Sequence, residues 1–170
     1  MFRRRVPLAA LLVAAAVFLP AALAQDKKDK EKEKPKKLEP NEQEKAVLEL
    51  TNKEREKAKL PPLKYNAVLH KVARGHSANM AKKREMSHKL DGKNPYERLE
   101  AAGYKYAGMA ENIAVTTDKT PAQIVKDWME SKIHRENILT KEFTEIGIGV
   151  VKNEQGEVYY TQVFAEPLGQ

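Results

Sequence analysis

The chain reads as an α+β domain, with helices first and strands last, on three observations. An apolar period of about 3.6 residues runs from Asn41 to Met80, a Thr120-Pro121 pair opens a further helix, and residues 146–164 switch to β-branched and aromatic runs about a turn.

Asn41 is placed to cap the first helix, and Glu44 three residues later completes a capping box. Val47, Leu48, Leu50 and Thr51 give that helix a modest apolar face, and Leu60-Pro61-Pro62 closes it. A second helix starts at Asn66 and sets Leu69, Val72, Ala73, His76 and Met80 on one stripe suited to burial. Gly75 lowers helix propensity there but permits close packing. Residues 86–120 show no sustained period; only a short helix over Pro95–Ala102, stopped by Gly103, is predicted. Pro121 then takes a first helical position, with Ile124, Val125 and Trp128 facing inward. Two strands, Ile146–Val151 and Val158–Phe164, flank a hairpin connection at Asn153–Gly156. On the last strand Tyr160 and Gln162 alternate with Tyr159, Thr161 and Val163, so the two sets face opposite layers.

The formal charge of +7 over 170 residues invites a nucleic-acid reading until the charge is located. Residues 1–24 carry three arginines, then an uncharged Ala/Leu/Val stretch ending Ala22-Leu23-Ala24, the pattern of a secretory signal cleaved before Gln25. The stretch is also long enough for a membrane anchor, but Pro7, Pro20 and the cleavage motif favour removal, leaving no stable span. Residues 25–40 hold seven Lys, five acids and one large apolar residue, Leu38, and read as a disordered, solvated tether. Leader and tether account for all but +2, so residues 41–170 form a nearly neutral domain with no nucleic-acid motif. The chain has no cysteine, so this domain is held by packing rather than disulfides.

Of the four histidines, His76 falls on the buried stripe as a core or rim residue, and His70 beside Lys71 is expected to be solvated. His88 and His134 lie in irregular or helix-terminal segments, where polar residues more often serve function. No H-E-x-x-H helix, no G-x-S-x-G elbow and no phosphate-cradling glycine loop is present, so spacing alone yields no enzyme.

The ordered motifs Met86-Ser-His88, Asp91–Arg98, Ala101–Tyr104, Ala110-Glu-Asn-Ile113, Trp128–Ser131, His134–Leu139, Ile146–Gly149 and Tyr160–Phe164 together resemble the CAP superfamily. This is the family of cysteine-rich secretory proteins, antigen 5 and plant pathogenesis-related proteins, and the resemblance is to its bacterial SCP-like branch. It covers about Asn41 to Glu166 and implies an α-β-α sandwich, with a small antiparallel sheet between helices and a central cleft. Matched residue by residue, His88, Glu111 and His134 take the family's cleft positions; Ser131 stands where a second glutamate is expected, and Asn137 bridges the turn after His134. The resemblance implies Zn²⁺ as the candidate ion on His88, His134 and Glu111, with water in a fourth position. A hydrogen-bonded polar cluster built from the same three residues is the competing reading. Arg98 is in reach of a neighbouring carboxylate, and Trp128 is expected between helix and sheet.

The function expected on these grounds is a non-catalytic binding module, secreted or held at the periplasm or cell envelope. Its implied partners are a lipid, a cell-wall polymer or an extracellular protein, and nucleic acid is excluded. The alternative is a metal-assisted hydrolase of peptide or envelope polymer, which the serine at position 131 disfavours.

Overall fold

The computed structural model describes residues 38–169, so the leader and most of the tether lie outside the described residues. The described residues belong to one compact unit. Its elements are α1 (Glu42–Lys57), β1 (Lys64–Tyr65), α2 (Ala67–Lys83), α3 (Pro95–Ala101), β2 (Tyr106–Thr116), α4 (Pro121–Glu130), α5 (Lys132–Leu139), β3 (Glu145–Lys152) and β4 (Val158–Pro167).

The helix starts follow local chemistry. Asn41, Asn94 and Thr120 each form a full capping box, with Glu44, Glu97 and Gln123 reaching back to the cap nitrogen. The Asn66 side chain accepts from the nitrogens of Val68 and Leu69.

The sheet runs β1-β3-β4-β2, with β2–β4 and β3–β4 antiparallel and β1–β3 parallel. It is therefore mixed rather than purely antiparallel, because two residues of β1 add to the β3 edge. A larger departure is β2, eleven residues within the stretch that shows no period. Its sequence, YAGMAENIAVT, places Glu111 and Asn112 mid-strand and so breaks the alternation of a half-buried strand. Tertiary pairing with β4 overrides that weak local signal.

Two cores flank the sheet, giving three layers. Ile146, Ile148, Val150, Tyr160 and Phe164 face α1, α4 and α5, where they pack with Val47, Ile124, Trp128 and Ile138. The alternate residues Tyr159, Val163 and Ala165 face α2 and α3, against Leu69, Ala73, Leu99 and Met80. On β3, Gly147 and Gly149 occupy the α2 side, and a Cβ on either would overlap the backbone of Leu69–His70 or of Ala73–Arg74. The helix thus lies directly on the strand. Burial of the helix stripe includes His70, fully buried with Nδ1 donating to the Ile148 carbonyl at 2.6 Å. This corrects its expected solvated position: the close approach at Gly147 brings the ring onto the sheet.

Arg55 is buried to 1 % exposure without a carboxylate. It donates to the carbonyls of Pro61, Ile138, Thr140 and Phe143 at 2.8–3.1 Å, fastening α1 to the loop that follows it and to the end of α5 with the segment beyond.

Candidate functional site

The cleft is assembled around β2, the edge strand. Pairing of Glu111 with Val163 and of Asn112 with Gln162 puts neighbouring residues on opposite sheet faces. Glu111 faces α2, and Asn112 faces α1 and α5.

On the α2 side, the Glu111 carboxylate is almost wholly buried, its side chain 2 % exposed. Oε1 accepts from Nδ1 of His88 at 2.8 Å, and Oε2 accepts from Nη2 of Arg98 at 2.7 Å. Since a carboxylate only accepts, Nδ1 of His88 carries the hydrogen. Arg98, its side chain 13 % exposed, also donates Nη1 to the carbonyls of His88 and Lys93. One guanidinium thereby clamps both the carboxylate and the loop that presents His88, while the His88 side chain remains half exposed at 51 %.

His76 completes this side. It is buried, and Nε2 stands 3.8 Å from Glu111 Oε1. Neither ring nitrogen makes a well-formed hydrogen bond. Burial pushes its pKa below the ordinary histidine value; the Glu111 charge opposes this only in part, and Arg98 adds to it.

On the other face a polar relay fixes α5. Thr51 donates to the Val47 carbonyl, Gln162 Nε2 donates to Thr51 Oγ1 at 2.7 Å, and Asn112 Nδ2 donates to Gln162 Oε1 at 3.1 Å. Asn112 also donates to the His134 carbonyl at 3.1 Å, and Asn137 Nδ2 donates to Asn112 Oδ1 at 2.8 Å. Asn137 thus ties the α5 turn to β2. His134 is half-buried, and burial, then the neighbouring His88, lowers its pKa. Ser131 ends α4 and begins α5 without a side-chain capping bond. Trp128 packs between helix and sheet and donates Nε1 to the Ile113 carbonyl at 3.2 Å.

Of the expected site residues, His88 and Glu111 are therefore in direct contact, whereas His134 and Asn137 belong to the α5 side and join through Asn112. Ser131 places no acid in the cleft. Among the described residues no group of three or more His, Asp or Glu side chains is arranged to hold a metal ion. Both Glu111 oxygens already accept charge-assisted bonds, and the fixed Arg98 cation beside them repels a dication. As arranged, His88, Glu111 and His134 do not fit Zn²⁺. Arg98 fills the role of positive partner instead.

Residues 48–164 match the model of the cysteine-rich secretory protein family, CAP. The chain belongs to the CAP family. Among curated relatives, this CAP domain is similar to the uncharacterised protein YkwD of Bacillus subtilis, 42 % identical over 120 residues, 70 % of this chain and 46 % of that one. It is also similar to the uncharacterised membrane protein YlbC of the same organism, 36 % identical over 123 residues, 71 % of this chain and 34 % of that one. The chain spans less than half the length of these relatives. In structure it is similar to an extracellular protein containing an SCP domain from Bacillus anthracis, with TM-score 0.66 and 29 % identity, covering 72 % of this chain and 40 % of that one. An outer surface protein of Borrelia burgdorferi shares the fold at TM-score 0.70 and 21 % identity, covering 76 % of this chain and 96 % of that one.

His76, Asn112 and Gln162 are site residues that sequence reasoning did not assign to the cleft. The signal for His76 was masked by its place on a packed stripe, Asn112 fell in the stretch without sustained period, and Gln162 read as an ordinary strand residue until its pairing is known.

Proposed function

We propose that this CAP domain is an exported, non-catalytic binding module acting outside the cytoplasmic membrane. Its ligand-facing cleft is formed by His88, Glu111 and His134, supported by Asn137 and edged by Ser131. The observation that carries this reading is the environment of Glu111: a buried carboxylate ion-paired with Arg98 and held by the Nδ1–H of His88 serves as a structural anchor rather than as an exposed general base. With serine at position 131, no second acid replaces it. Exposed His88 and half-buried His134 remain as the hydrogen-bonding groups available to a ligand, which on this reading is a component of the envelope or an extracellular protein.

Export is supported by the sequence pattern of the leader and by the extracellular character of the similar Bacillus anthracis protein. Among the described residues no helix is long and apolar enough to cross a membrane.

The test combines turnover with retention. Purified protein incubated with a peptidoglycan and peptide library should give no product, while cosedimentation with an envelope fraction should be weakened by His88→Ala/His134→Ala. Product formation abolished by His134→Ala would instead establish the hydrolase. The intact mass of protein recovered from the medium should be that of a chain beginning at Gln25, as glutamine or pyroglutamate; an intact leader there would refute export by cleavage.

A further inference from the structure

A groove of about 520 Å³ runs between α2 and α3; it adjoins the cleft through His76 and Arg98, while His88, Glu111 and the polar relay do not line it. It lies alongside the buried stripe of α2, because Val68, Lys71, Val72, Gly75 and Asn79 recur at helical spacing one step round from Leu69, Ala73 and Met80, with His76 bordering both. Ala101 and Ala102 at the end of α3 form the facing wall. The volume is that of a small-molecule site, and its largely apolar surface with a few polar groups is the composition such sites have.

Two observations select the ligand chemistry. Every charged side chain lining the groove is basic: Lys71, Lys93 and Arg98. Arg98 is committed to Glu111, but Lys71 and Lys93 are exposed and have no acidic partner among the described residues. Second, the floor is open by construction, since nothing lies within 4 Å of where a Cβ on Gly75 would stand. A glycine in mid-helix costs stability relative to alanine, about 0.5–1 kcal/mol, and no close packing at this position requires it. It keeps space.

The geometry points to a second binding site in this groove for a small apolar anion, an aromatic or branched aliphatic carboxylate or sulfonate. The body lies on Val68, Val72 and Ala101, and the acid is met by Lys71 and Lys93. Naphthalene-2-sulfonate tests this by heteronuclear NMR titration of the full chain, with 2-naphthol as the uncharged control. The expected result is saturable shifts confined to the amides of α2 and α3 near Gly75 and Ala102, with 2-naphthol about tenfold weaker. Lys71→Gln/Lys93→Gln should weaken the sulfonate about tenfold and leave 2-naphthol unchanged. Gly75→Leu, which meets open space and adds a good helix former, should abolish binding of both probes without lowering Tm. Equal affinity for the two probes, unaltered binding in the double lysine variant, or shifts centred on β2 and α5 would overturn the assignment. Because the readout is the groove itself, its failure leaves the cleft reading standing, and failure of the envelope assay leaves the groove standing.

Discussion

Replacing Glu111 by Gln keeps the shape of the side chain and removes its charge, so it isolates what the carboxylate does. In the native domain two charge-assisted bonds converge on it, from Arg98 at 2.7 Å and His88 at 2.8 Å, at a side chain 2 % exposed. Each such bond contributes about 1.5–3 kcal/mol, against about 0.5–1.5 kcal/mol for a neutral one. The glutamine oxygen can still accept from Arg98, and its amide can donate to His88 after a change of tautomer, so bonds are weakened rather than lost. The larger part of the cost is the Arg98 guanidinium, left without a counter-charge at 13 % exposure. Its two carbonyl acceptors and residual exposure keep this below the roughly 3–5 kcal/mol of a fully buried broken pair. Together these give a loss of about 2–3 kcal/mol. Urea unfolding at pH 7 measures it as a lower midpoint at unchanged slope. The same melts repeated with Zn²⁺ should show no stabilisation of either protein. A loss under about 0.5 kcal/mol, the range of an ordinary surface change, would refute the clamp. So would a zinc-dependent rise in stability seen only with Glu111 present, since that would give the carboxylate to a metal.

Gly147→Ala should be far more disruptive than its single methyl suggests, lowering stability by about 3 kcal/mol or more in the same melts, because the overlap is with helix backbone that cannot rotate away. Gln162→Leu leaves Asn112 and Thr51 short of partners and should cost about 2–3 kcal/mol while shifting the His134 ring resonances in NMR, although Gln162 does not touch that ring. Burial holds the imidazoles of His70, His76 and His134 below their ordinary pKa. The unfolded chain therefore takes up protons below about pH 6.5 that the folded chain resists, so stability is full above that pH and declines as pH falls. For fully buried His70 the slope is at most about 1.4 kcal/mol per pH unit, and His70→Gln, which can still donate to Ile148, should flatten the decline in guanidinium titrations between pH 7 and 5.

The helices were legible because their signals are local: Asn41, Asn66 and Thr120 cap where the sequence places them, and the stripe from Leu69 to Met80 is the buried one. Strand β2 was not, because what stabilises it is ten paired positions along β4, not the alternation of its own residues. The same distinction runs through the cleft. His88, Glu111 and His134 were nameable from ordered motifs, but only the register of β2 against β4 decides that Glu111 turns to His88 and Asn112 to the backbone of His134. His70 and His76 show the limit of a helical wheel: six residues apart, they share burial, yet one bonds to a strand carbonyl and the other stands beside the cleft carboxylate.

Arg55 has a consequence for a domain without cysteine. Its four acceptors are carbonyl oxygens, which do not titrate, and guanidinium itself stays protonated at any ordinary pH. Acid cannot discharge this fastening as it would a carboxylate pair, and burial shields it from added salt. A thiol reductant finds nothing to cut. The single side chain thus joins two distant stretches of sequence as a cross-bridge would, in a form indifferent to the three agents that undo the alternatives.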